Sequence, residues 1–420
     1  MVLLFCPYKH PKLQFALSEI FGRRASLDCQ ITTNAEEFTR AVTPFKINYS
    51  DLNLPGLRIY NSGWLNHAGL DVHFKPAFAL QAGTPCLFPE TGNQHFDLFA
   101  MCFWLLSRYE EYQPFTGDRY GRFCLKDSCL PAAWAELNYL DIQVNRLFHA
   151  LGIAVEKTFQ IIPTADIDIA FKYAARPGHI RFAGCLRDFF FNRKNLKERQ
   201  AARASGHDPY DVYAWLLKMF KPYPEARIFW QMNRSRNGRD RQVNIRHALF
   251  LECVKECSAE ITPGIHPSWE SNRNGEQLSE EIKALASRVG KKLIHSRQHF
   301  LVCSFPETFR RLDTAGIRYD YTLAWAEQPG FRAGTARPFA FYDVLQDAVS
   351  PLCFIPGCAM DVSYAAYLGM SAAEAAQHGL KLRALIQREG GVFCFIVHNE
   401  SMSETGPWQG WKKVVEAWLS

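Results

Sequence analysis

The chain has 420 residues, more than one ordinary hydrophobic core holds, so two structural units are expected. With 48% hydrophobic and 21% charged residues it is neither disordered nor fibrous, and no run approaches the ~18 apolar residues of a membrane-spanning helix. A formal net charge of +6 with no accompanying recognition module argues against a nucleic-acid-binding protein.

The thirteen cysteines are scattered, odd in number and without a CxxC pair, which argues against a disulfide framework and for a reducing cytoplasm. The opening MVLLFCPYKHPK lacks a basic lead-in and a cleavage site and reads as a first strand, not a signal peptide. Further strands are expected near 57–61 and 70–74. Phe99, Cys102, Phe103, Leu106 and Tyr109 recur at helical spacing and predict a helix over 96–112 with one buried face. A turn at Gly117–Phe123 and an amphipathic helix over 137–151 follow, with no catalytic spacing among them.

From residue 156 strands and helices alternate. Strands are expected at 227–232, 260–265, 292–296, 300–303, 317–319, 353–355 and 391–397, with helices at 278–289, 306–314, 372–388 and 410–418. That alternation predicts a parallel α/β barrel, preferred here, or an open sheet, with function at the C-terminal ends of the strands. The segment 171–225 is too long for an ordinary loop and is expected to form helices over the mouth. It carries one basic cluster, Arg181 to Arg203; a second runs from Arg227 to Arg246. Either suits an anionic glycan or membrane surface, or is simply a solvated face.

Asp166 and Asp168 end an apolar run two residues apart, which on a strand turns both carboxylates to one side. Such a pair can divide the work, one acid binding a divalent cation and the other taking a proton from water, or it is a solvated strand end. His266 leaves the strand at 260–265 as a metal ligand or a capped surface residue. Of His295 and His299, the second is the better ligand and the first the better packing residue. Arg332, in a Gly-bounded loop, could hold a carboxylate. His398, at the end of an apolar strand, suits a general acid.

In that order, Asp-x-Asp, a His-x-Ser loop, a second His, a Gly-Phe-Arg loop and a terminal His, the chain resembles the polysaccharide deacetylase (NodB-homology, carbohydrate esterase) superfamily over about residues 158–418. The resemblance is to a bacterial branch with an extra N-terminal domain. It implies an α/β protein: a distorted (β/α) barrel at 156–420 behind a smaller mixed α/β domain at 1–155. It also implies a divalent metal ion, zinc foremost, and removal of acetyl groups from sugars. Residue by residue it implies Asp166 as base, Asp168 and His266 as metal ligands, Arg332 orienting the base, and His398 as acid. ThrAlaAspIleAsp stands in place of the family's ThrPheAspAspGly, so base and ligand could be exchanged. Glu270 stands where a histidine is expected four residues after His266. His299 is therefore expected to complete the ligand set, with Glu270 as fallback. A rival register makes His295 and His299 both ligands. Trp269, Tyr321 and Trp325, beside these loops, are candidates to stack on a sugar ring.

The expectation is thus a metal-dependent hydrolase removing an acetyl group, N-acetyl first, from a carbohydrate precursor in surface polysaccharide metabolism. The substrate would be phosphorylated or lipid-linked, and the protein cytoplasmic, with peripheral contact at the inner membrane. The alternative is a catalytically inactive glycan-binding or assembly protein on the same fold.

Overall fold

In the computed structural model residues 1–176, 178–233 and 238–420 are described. The apolar run Val2–Phe5 (β1) is buried along its whole length and pairs in parallel with β2 (Cys29–Thr32) and β3 (Phe45–Asn48). A short β4 (Leu57–Arg58) extends this sheet in the order β2-β1-β3-β4. β5 (Phe78–Gln81) and β6 (Thr84–Leu87) form a separate hairpin, and no strand forms at 70–74.

The helix expected over 96–112 spans Leu98–Leu106 and is buried on every side, not one, because it runs between the two parts of the chain. Asp97 caps it, accepting the Ala100 N–H, and also accepts from the hydroxyls of Tyr49 and Ser62. The second expected helix spans Tyr139–Leu151.

The remaining strands are β7 (Phe159–Ile167), β8 (Arg227–Trp230), β9 (Thr262–Ile265), β10 (His295–Ser296), β11 (Tyr319–Asp320), β12 (Phe339–Asp343), β13 (Ala348–Phe354), β14 (Ala359–Met360) and β15 (Gly391–His398). They form one sheet in the order β12-β13-β11-β10-β9-β8-β7-β15-β14, parallel throughout except between β12 and β13. Among the described residues the sheet does not close into the expected barrel. β12 folds back as a hairpin partner of β13, and β14, only two residues long, pairs with β15 alone. The strand expected at 300–303 is instead a turn, His299–Leu301, with positive φ at Phe300 and Leu301.

The register places the candidate residues. Ile167, Trp230, Ile265, Ser296 and Asp320 form one rung across five parallel strands. Alternation turns Ile167, Trp230 and Ile265 toward the helices and the main core. The residues one step later, Asp168, Gln231, His266 and Arg297, share the other face with Asp166, and His398 stands beside Asp166 on the adjoining strand. Beneath them on that face is a small apolar cluster including Ile162, Phe229, Tyr321 and Cys394.

One large hydrophobic cluster runs through both parts of the chain. Polar ties cross the same junction. Arg24 pairs with Asp141 at 2.6 Å, and Asp141 also accepts the Thr335 hydroxyl and the Ala336 N–H. Glu111, buried, accepts Arg332 Nε at 2.9 Å and Nη2 at 2.5 Å on one side and Arg108 Nε at 2.8 Å on the other. Truncating it as Glu111→Ala leaves Arg332 charged and unpaired in the core. A loss of about 3–5 kcal/mol is expected, read as a lowered denaturant midpoint; an unchanged midpoint would show that the pair carries no stability.

Candidate metal centre

Asp168, one residue past the end of β7, is the hub. Its Oδ1 lies 3.0 Å from His266 Nε2, and its Oδ2 lies 3.4 Å from His299 Nε2 and 3.9 Å from His398 Nε2. Among the described residues Asp168, His266 and His299 are the one group of this kind with ligand atoms close enough to share an ion.

The far side of each imidazole is committed. His266 Nδ1 is 2.6 Å from the Arg297 carbonyl, an acceptor, so that nitrogen carries the proton and Nε2 is left with a lone pair. His299 Nδ1 lies 2.9 Å from Asp240 Oδ1 and 2.8 Å from Gln231 Nε2, and its Nε2 is turned toward Asp168; a proton on Nδ1 is the one the Asp240 carboxylate accepts. Gln231 Nε2 donates to the same Asp240 oxygen at 3.0 Å. Two imidazole nitrogens thus converge on a carboxylate. Asp168 Oδ1 is buried and, among the described residues, has only the His266 ring within 3.0 Å. Two imidazoles with one carboxylate are a donor set that suits zinc or a similar divalent ion.

Without a metal, protons take its place. Burial would lower the pKa of His299, but the Asp168 carboxylate and then the hydrogen bonds to Asp168 and Asp240 outweigh it and raise the ring from 6.5 to about 9. Burial would raise Asp168, yet the facing His299 and His266 hold it well below the usual carboxylate range.

Asp166, buried beside the cluster, accepts Arg297 Nη1 at 2.8 Å, with its other oxygen 3.9 Å from His266 Nε2. Arg297 is fully buried, stacked over the Phe229 ring and held through Nε by the Tyr321 carbonyl. His398 donates from Nδ1 to Asp361 at 2.8 Å, while the His398 backbone N–H and the Ser401 hydroxyl secure that acid. Burial opposes protonation of His398, but Asp361 outweighs it and raises the ring well above its ordinary value. Glu400, next along, is raised by burial despite His398 nearby.

Several sequence expectations are corrected. Arg332 does not reach Asp166; it is consumed by Glu111, and Arg297 stands at the acid instead. Glu270 is exposed and outside the cluster. His295 packs between Tyr319 and Tyr321, where burial and then the Arg227 charge push it down to about 3. Tyr321 and Trp325 are each only 2% exposed and offer no ring face to a ligand. Trp269 is half-buried, with the Arg239 guanidinium 3.6 Å from its ring centroid.

Asp240, Asp361 and Arg297 were not singled out from sequence. Nor was the loop 117–123, which helps line a cavity of about 250 Å3 at the cluster through Arg119, Tyr120 and Arg122, together with Phe300 and Tyr367. Arg122 ties Asp118 to the Phe300 carbonyl, 2.9 Å from Nη1, and to the Tyr367 hydroxyl. It thereby braces the left-handed turn that carries His299.

Residues 2–155 match a family of unknown function (DUF7033). No curated protein matches the chain. Solved structures with a similar outline include one described as a polysaccharide deacetylase from Mycobacterium smegmatis, 14% identical with a TM-score of 0.41, covering 63% of this chain and 85% of that one. Puue allantoinase is 9% identical with a TM-score of 0.37, covering 61% of this chain and 83% of its own. The polysaccharide deacetylase Bc1974 from Bacillus cereus is 15% identical with a TM-score of 0.30, covering 63% and 86%. The chemistry of this chain rests on its own residues.

Linkage gives a test on metal-free protein. A histidine raised from 6.5 to about 9 stabilises the fold fully below pH 6.5, and that contribution is lost as pH rises through 9. In chelator, the thermal midpoint is expected to fall between those pH values, and the fall should be smaller in His299→Gln. Equal slopes would contradict the assigned proton.

Proposed function

We propose that this protein is a metal-dependent hydrolase that removes an acetyl group, N-acetyl by preference, from a carbohydrate precursor of a surface polysaccharide. The observation that carries the reading is the convergence of Asp168, His266 and His299, whose ligand atoms all lie within 4.8 Å of one another, while the far nitrogens of the two rings are held by the Arg297 carbonyl and Asp240. Asp168, His266 and His299 would hold the ion, zinc foremost. When bound, it polarises an acyl carbonyl and acidifies water.

The chain's own groups supply the rest. Asp166 accepts the proton of the attacking water on the carboxylate that Arg297 orients, taking the role that the family resemblance assigned to Arg332. His398, kept protonated by Asp361, donates to the departing amine nitrogen. The assembled acid, base and ligand set favours an enzyme over an inactive binding protein.

The cavity, about 250 Å3, is smaller than the ~300–1,000 Å3 that drug-sized ligands fill. It suits one acetylated sugar residue better than an extended chain. Tyr120, Phe300 and Tyr367 replace Tyr321 and Trp325 as candidate stacking surfaces, with Trp269 behind Phe300. In this reading residues 1–155 form a unit that completes the mouth, the substrate carries phosphate or lipid, and the protein works at the cytoplasmic face of the inner membrane.

Acetate release from N-acetylated sugars is expected to fall about 10²–10⁴-fold in Asp166→Asn and in His398→Ala, mainly in kcat, with metal content retained. Variants that lose metal along with activity would contradict the acid–base roles; wild type that releases no acetate across diverse acetylated sugars would overturn the function. Asp240→Asn is expected to weaken metal binding about 10–100-fold by releasing the His299 ring. Arg122→Ala should lower affinity in the same direction by loosening the Phe300 turn. Chelator competition measures both, and wild-type affinity in both variants would remove the two supports.

A further inference from the structure

The insert between β7 and β8 contains two helices, Gly178–Phe191 and Arg193–Ser205, and leaves the sheet at the end of β7 that carries Asp168. The first helix is amphipathic in the wrong sense for a soluble domain. Phe182, Leu186, Phe189 and Phe190 fall at i, i+4, i+7 and i+8, on one face, and that face is outward. Phe182 is 67% exposed, Phe190 69% and Phe191, at the helix end, 85%. Phe182, Leu186, Phe189 and Phe190 form an apolar patch of the kind that marks an interaction surface, and Phe191 extends it at the helix end against Phe190.

The opposite side holds the helix in place. Asp188, buried, takes Arg199 of the second helix at 2.7 Å and Arg187 at 3.0 Å, and Gly184 lets the Arg199 guanidinium pack close. Lys172 pairs with Glu198 at 2.6 Å and ties the second helix to the end of the sheet. Both acids of the hairpin are therefore spent internally. Arg193, Lys194 and Lys197 remain exposed beside the apolar tip, and Arg203 toward the other end of the second helix, with no ion pair among the described residues. Among the described residues the other basic cluster is not set beside exposed phenylalanines. Arg227 is buried against Glu225 and Arg239 lies on Trp269, while Arg234 and Arg236 are outside the described residues.

We infer that this hairpin docks on an anionic lipid surface, its phenylalanines entering the interface and its lysines and arginines meeting the headgroups. A membrane matches both features, because apolar burial and attraction to acidic lipid add together. A second copy of the chain fits less well, since an isologous contact would set the same basic rim against itself. Docking puts the cleft at the bilayer, where a lipid-linked sugar is presented. The inference rests on the hydrolase reading only for that substrate; the docking stands on the hairpin.

Flotation of the full chain with vesicles of phosphatidylcholine, alone or mixed with phosphatidylglycerol, tests it. Wild type is expected to float with the anionic vesicles and not with the neutral ones. Two variants, Phe189→Ser/Phe190→Ser/Phe191→Ser and Arg193→Glu/Lys194→Glu/Lys197→Glu, are each expected to bind at least roughly tenfold less, with unchanged thermal midpoints and metal content. Wild type that stays with neither vesicle overturns the docking, as does variant binding equal to wild type. So does a wild-type dimer that the Phe variant abolishes without any vesicle binding. Wild type that floats but holds no metal overturns the hydrolase reading alone.

Discussion

A half-buried carboxylate set against buried imidazoles calls for a positive charge among them, and the rest of the site is arranged around that demand. Asp168 has His266 on one oxygen, His299 on the other and His398 beyond. A carbonyl fixes the tautomer of the first ring and carboxylates those of the other two. In a low-dielectric setting such a cluster is costly to hold, so it persists only where a proton or a metal ion satisfies it. The two cations are competitors, which links the titration of His299 to the affinity for an ion.

Geometry of this kind comes from register. Four consecutive parallel strands end on one rung, and the residue after each rung position turns inward, which brings Asp168, Gln231, His266 and Arg297 together from segments far apart in sequence. The exception is His299, which stands on a left-handed turn, not on a strand. That turn is held from outside the sheet. Arg122 bonds the Phe300 carbonyl, and Tyr120 stacks on the Phe300 ring at 5.0 Å. The N-terminal part of the chain thus bears on the position of one proposed ligand without touching it.

Much of this was legible in the sequence where the signal is local. The alternation of apolar runs and helical periods gave the parallel α/β arrangement, and the Asp-x-Asp spacing gave two acids on one face. His299 is the better ligand and His295 the better packing residue in the sequence reading, and His295 does end buried between two tyrosines. Closure of the sheet was not legible, because it depends on what the edge strands β12 and β14 pair with. Arg332 was misplaced because a Gly-bounded loop says an arginine can approach a carboxylate but not which one; Glu111 lies more than two hundred residues away in sequence. Arg297 lies between two candidate histidines, and its position one step past a strand end was the available signal. Asp240 and Asp361 had none, since an acid that orients a histidine is defined only by contact. Tyr321 and Trp325 were read as platforms because adjacency in sequence to a loop does not report burial.

The claim most exposed to experiment is that Asp168, His266 and His299 together form an ion site. Chelator competition for zinc at neutral pH, run on the wild type and on His299→Ala, His295→Ala and Glu270→Ala, tests it most directly. The account predicts stoichiometric zinc in the wild type, affinity lost in His299→Ala and retained in the other two. Wild type that takes up no zinc or related divalent ion, or a loss that follows Glu270 or His295 in place of His299, would contradict it.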